Sequence, residues 1–82
     1  MQRDANLLTR IGETLYGQQW QTNLARDLQL SDPRRIRAWL KGERSIPLGI
    51  WADCEQLLLD YAGKANDLAI ELQAIEKAGK NS

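Results

Sequence analysis

The residues best equipped for chemistry in this 82-residue chain are the cations of one short stretch, Arg34, Arg35, Arg37, Lys41 and Arg44. A guanidinium offers a planar fork of donors that can grip two acceptors at once, on a phosphate or on the O6 and N7 edge of guanine; a lysine ammonium acts as a point charge. Set against Asp32 and Glu43, these side chains give residues 31–44 a net charge of +3, although the whole chain is neutral. Residues 45–82 carry Lys64, Lys77 and Lys80 against six carboxylates, a net charge of −3. Exposed charge acts over only about 10 Å in salt, so a local basic patch is sufficient for a polyanion and the acidic remainder would hold it to that patch.

Most other chemistry is poorly supplied. Histidine is absent, and with it the commonest general base and metal ligand. A lone Cys54 cannot close an internal disulfide or build a thiolate zinc site, and it lies within an apolar helical pattern, which suits a buried structural thiol. There is no phosphate-cradling glycine loop, nucleophile elbow or acidic calcium loop. The expectation is a protein that is not an enzyme and needs no cofactor or metal. No apolar run approaches a membrane span and no signal-peptide core opens the chain, so a cytoplasmic protein with no membrane partner is expected.

The elements that must position the cations read as helices throughout. Valine is absent and no segment alternates apolar and polar residues as a strand would. A first helix is expected over about residues 4–16, with Leu7, Leu8, Ile11 and Leu15 on one face and Gly17 as its stop. A second runs over about 20–28, with Leu24, Ala25 and Leu28 inward. A third starts at Asp32-Pro33, an N-cap acid before a proline suited to the first helical position, and ends at Gly42. A fourth begins near Pro47 and extends to about residue 77. Along it Trp51, Cys54, Leu58, Tyr61, Ala65, Leu68, Leu72 and Ile75 step alternately by three and four, an unbroken heptad seam. Gly63 either costs that helix about 1 kcal/mol or splits it in two. A chain this small forms one domain, residues 1–82, all-α with four or five helices.

Two short helices around the polar step at residues 29–32 outline a helix-turn-helix over about 20–41, whose second helix lies in the major groove in proteins that bind DNA this way. At about 100° per residue, Trp39 and Leu40 flank Ile36 as the buried stripe of the third helix. The opposite face carries Arg34, Lys41 and the small Ala38, with Arg37 beside them and Arg35 on the other flank. Ala38 would let the helix sit deep in a groove and touch a thymine methyl. Lys41 and Arg44, at and after the helix end, suit phosphates. The second helix starts at Trp20, Gln21 and Thr22, where free amides and the helix dipole favour a phosphate.

Residues 21–28 (Gln-Thr-Asn-Leu-Ala-Arg-Asp-Leu), followed by Ser31, Ile36, Trp39 and Gly42, resemble the lambda-repressor-like (Cro and Xre type) DNA-binding domains. More closely, Leu15-Tyr16-Gly17, Trp20-Gln21, Leu24-Ala25-Arg26 and residues 39–47 are similar to small phage and bacterial regulators of that superfamily; the resemblance covers roughly residues 5–60. The chain departs from the family pattern in having eleven residues from Ala25 to Ile36 where ten are usual, and Gln29 where a glycine commonly turns the chain. The resemblance implies a repressor of its own operon, associated with phage, toxin–antitoxin or anti-CRISPR genes, and a backbone contact from Gln21. The expected DNA-binding set is therefore Gln21, Thr22, Arg34, Arg35, Arg37, Ala38, Lys41 and Arg44.

Each sharp feature has a plainer counterpart. Taken alone the basic face suits a solvated surface as well as a duplex, but the turn, the packing triad and the acidic remainder favour the duplex. Trp20, Trp39 and Trp51 could stack on single-stranded bases, but each falls on an apolar stripe and fits a core better. The seam's second half, Ala65, Leu68, Leu72 and Ile75, runs past what one small core can cover and is expected at a homodimer interface, parallel, antiparallel or against the partner's first helix. A dimer would match an operator that is an inverted repeat with half-sites about one turn, roughly 34 Å, apart. The alternative is a protein-interaction module, an antitoxin or adaptor using the bundle and its last helix; an RNA-binding helical bundle is the third possibility.

Overall fold

The computed structural model describes residues 3–80. All regular structure among them is helical: α1 (Ala5–Tyr16), a 3₁₀ turn (Gly17–Gln19), α2 (Trp20–Asp27), α3 (Arg34–Leu40) and α4 (Leu48–Lys80). Asp4 caps α1 by accepting the Leu7 amide at 3.0 Å. Gly17, at φ 80°, ends it in a conformation that costs glycine nothing.

The first three helices and the start of α4 close on one core of Leu8, Trp20, Leu24, Ala25, Leu28, Ile36, Trp39 and Cys54. Ile11, Tyr16, Leu30, Leu40, Ile46, Ile50, Trp51 and Leu57 pack around it. Trp20 lies against Gly12: a Cβ there would stand 2.1 Å from the indole Cε3, so only glycine leaves room for the ring. The Tyr16 hydroxyl donates to the Asp27 carboxylate at 2.5 Å, tying the end of α1 to the end of α2.

The fourth helix is continuous. Gly63 does not divide its 33 residues, and they span about 50 Å of a molecule 59 Å long. Only the first third of α4 meets the core; every residue from Leu59 to Gly79 is exposed. The radius of gyration, 16.8 Å, accordingly exceeds the roughly 12 Å of a compact chain of this length. The core contact also drifts off the heptad positions, with Ile50 and Leu57 packing beside Trp51 and Cys54, because a straight helix turns about 20° per heptad relative to a 3.5-residue repeat.

Candidate nucleic-acid interface

The step from α2 to α3 is built by backbone geometry. Gln29 stands at φ 61°, the one non-glycine with positive φ among the described residues. Its amide donates to the Arg26 carbonyl at 3.0 Å, and the Leu30 amide to the Ala25 carbonyl at 2.8 Å. This pair of bonds is a Schellman closure, with Leu30 folding back onto the core as the motif requires. Gln29 thus takes the left-handed role that glycine would fill at lower cost. The same closure recurs after α3, where Gly42 at φ 77° donates to Trp39 at 3.2 Å and Glu43 to Ala38 at 3.0 Å.

The first helical residue of α3 is Arg34 rather than Pro33, one residue later than expected. Asp32 nevertheless performs the capping chemistry: its Oδ1 accepts the Arg34 amide at 2.8 Å. The difference lies in Pro33, whose ψ of 2° leaves it just outside the helix.

With Ile36 and Trp39 buried, α3 turns Arg34, Arg35, Arg37 and Lys41 into solvent. Arg34, Arg35, half-buried Ala38 and Arg44 line one open concavity of about 770 Å³, together with Trp39, Ser45 and Pro47. On the other flank Arg37 shares a concavity of about 330 Å³ with Gln18, Gln19, Gln21 and Thr22 from the entry to α2. Seven of the eight expected contact residues thus fall into two adjoining groups, and Lys41 closes α3 as its C-cap. Arg35, expected on the flank opposite Arg37, shares the concavity of Arg34 and Ala38, which Arg44 and Pro47 also line. Gln18, Gln19 and Ser45 had no signal in the sequence beyond lying next to motif residues.

The cations are electrostatically free. Arg34 has a loose ion pair, its Nε 3.9 Å from Asp32 Oδ2 with the side chain 86% exposed. Among the described residues, Arg35, Arg37, Lys41 and Arg44 have no carboxylate within 4 Å. Nothing internal consumes their charge, so an external anion can take it. No group of three or more histidine, cysteine or carboxylate side chains that could hold a metal occurs among the described residues. None of the described helices is long and apolar enough to cross a membrane. Cys54 is fully buried, and burial together with neighbouring Asp53 pushes its thiol up to about 11, which keeps it protonated and unreactive. Neither a family model, a curated protein nor a solved structure matches this chain.

Proposed function

We propose that this chain is a sequence-specific double-stranded DNA-binding transcriptional regulator of the lambda-repressor-like helix-turn-helix kind, acting as a repressor of its own operon. The observation that carries this is the exposed face of α3, whose cations among the described residues have no internal ion pair beyond the loose Arg34–Asp32 contact, with Arg37 beside Gln21 and Thr22 at the start of α2. Arg34 and Arg37 read base edges, with Ala38 allowing close approach. Arg35, Lys41, Arg44, Gln21 and Thr22 hold phosphates and set the register.

The test is a gel shift against duplex DNA from upstream of the chain's own gene. Arg34→Ala and Arg37→Ala should each cost on the order of 1–3 kcal/mol and relax preference at particular base pairs. Lys41→Ala or Arg44→Ala should weaken all sequences alike and reduce the salt slope by roughly one unit. The exposed half of α4 favours the second reading, a protein-interaction module; that reading stands if the folded chain retains no duplex at low salt.

A further inference from the structure

We propose that the free half of α4 pairs with the same segment of a second copy in antiparallel orientation, so that the chain is a rod-linked homodimer with a basic head at each end. The proposal deepens the DNA-binding reading by fixing how two heads are held, but its observations and its test do not involve DNA.

Three observations lead to it. Tyr61, Leu68, Leu72 and Ile75 are 47%, 65%, 55% and 62% exposed, so the seam has no cover within its own chain. The helix is unbroken through Gly63, and a Cβ placed there would meet nothing, so the seam is one continuous surface. Lys64 and Glu71 flank the seam on one side, and among the described residues neither has an opposite charge within 4 Å.

Those charges select the direction. In a parallel pair with Trp51 at position a, Lys64 faces Ala69 and Glu71 faces Glu76, which wastes one charge and sets two carboxylates together. Antiparallel pairing that meshes a against d brings Ala65 onto Leu68, Tyr61 onto Leu72 and Leu58 onto Ile75 of the second copy. Lys64 then faces Glu71 of the second copy, and the two-fold axis repeats the pair. The opposite flank brings Ala62 to Ala69, two small side chains that let the helices close up, and at its ends Glu55 to Glu76. The antiparallel pair thus offsets its carboxylate contacts with two Lys64–Glu71 pairs, whereas the parallel pair has Glu71 against Glu76 and no attraction to offset it. The Ala65–Leu68 layers at the centre set a small side chain against a large one, as in close-packed interiors. The seam of each copy ends at the open concavity of the other, about 200 Å³ between Leu15, Tyr16, Leu57 and Tyr61, with Asp27, Asp60 and Lys64 at its rim.

The pair is centred between residues 66 and 67. Leu48, where α4 leaves the basic head, lies roughly 28 Å from that centre, so the heads stand about 55 Å apart along the axis. That exceeds the 34 Å of a single DNA turn, and the half-sites of the operator should be spaced correspondingly further apart than one turn.

Sedimentation of the full chain at micromolar concentration, without DNA, tests the pairing whatever the chain does with DNA. The wild type should be a dimer. Lys64→Glu and Glu71→Lys should each weaken it roughly tenfold, and the double reversal should return it close to the wild-type constant. When Ala62→Cys and Ala69→Cys variants are mixed and oxidised, the mixed disulfide should form in preference to either symmetric one. A monomeric wild type overturns the proposal. So does a dimer indifferent to Lys64→Glu and tightened by Glu71→Lys, the signature of parallel helices.

Discussion

Leu24 on α2 and Leu72 on α4 are the same side chain on helices of one short chain, yet the first is fully buried and the second 55% exposed. The head of the molecule, α1 to α3 with the start of α4, hides its aliphatics and turns arginines outward. The free half of α4 leaves aliphatics in water. An unpaired arginine in water costs little, since its charge is fully solvated, and it keeps the head ready for an anionic partner. An exposed aliphatic seam forgoes roughly 1.5–3 kcal/mol for each large side chain that burial would supply, which only a partner can recover. On the reading proposed, the two kinds of exposure serve two kinds of partner, one charged and one apolar.

The strongest substitutions lie in the head, beside a nearly silent one in α4. Leu24→Ala should cost roughly 2–5 kcal/mol and Trp39→Ala roughly 3–5 kcal/mol, enough to unfold a domain of this size. Leu72→Ala, measured by denaturant melts at high dilution, should change the stability of the isolated chain by less than about 0.5 kcal/mol. Equal costs at Leu24 and Leu72 would mean that α4 folds back onto the head.

Alkaline pH extends the contrast, since Cys54 and Tyr16, the two groups held above their ordinary values, both lie in the head. The Cys54 thiol is held at about 11 when folded, above its ordinary value, and burial of Tyr16 with its bond to Asp27 raises that hydroxyl too. Both groups bind their protons more tightly in the folded state. Their contribution is complete below the ordinary thiol range and is lost as pH rises toward and through 11. For Cys54 alone the loss is about 2–3 kcal/mol, read as a falling melting temperature above pH 9 that Cys54→Ala should flatten.

Gly12→Ala is expected to cost about 1–3 kcal/mol despite alanine's better helix propensity, because the indole of Trp20 occupies the space. Gln29→Gly should be a small effect and the only favourable one, about 1 kcal/mol of added stability from relieving the left-handed backbone. A destabilised Gln29→Gly variant would show that the glutamine side chain contributes something beyond the turn.

Much of this architecture was legible in residue types. Gly17, Asp32 and Gly42 marked helix ends, and the apolar positions of α2 and α3 marked the core, because caps and 3.6-residue periodicity are local properties. Gly12 was silent, since its importance comes from a ring eight residues away in sequence and adjacent only in the fold. Gln29 gave an ambiguous signal: its left-handed conformation is imposed by closure of α2 onto Leu30 and is not a preference of glutamine. The heptad seam was plain, but whether Gly63 would break it depended on a balance of about 1 kcal/mol that composition alone does not decide. The grouping of Arg35 with Arg44 depended on how the segment 42–47 folds back, a tertiary property.

Gripping of duplex DNA by the outward face of α3 is the reading proposed. Its most direct measurement is the salt-dependent affinity of the Arg34→Ala, Arg37→Ala, Lys41→Ala triple variant beside the wild type, on the duplex upstream of the chain's own gene. The triple variant should keep its helical circular dichroism and melting temperature, since all three side chains are exposed. Its affinity should fall by at least about a hundredfold and its salt slope by two to three units, roughly one for each lost cation. A folded triple variant that binds the duplex as tightly as the wild type, with an unchanged salt slope, would contradict the assignment.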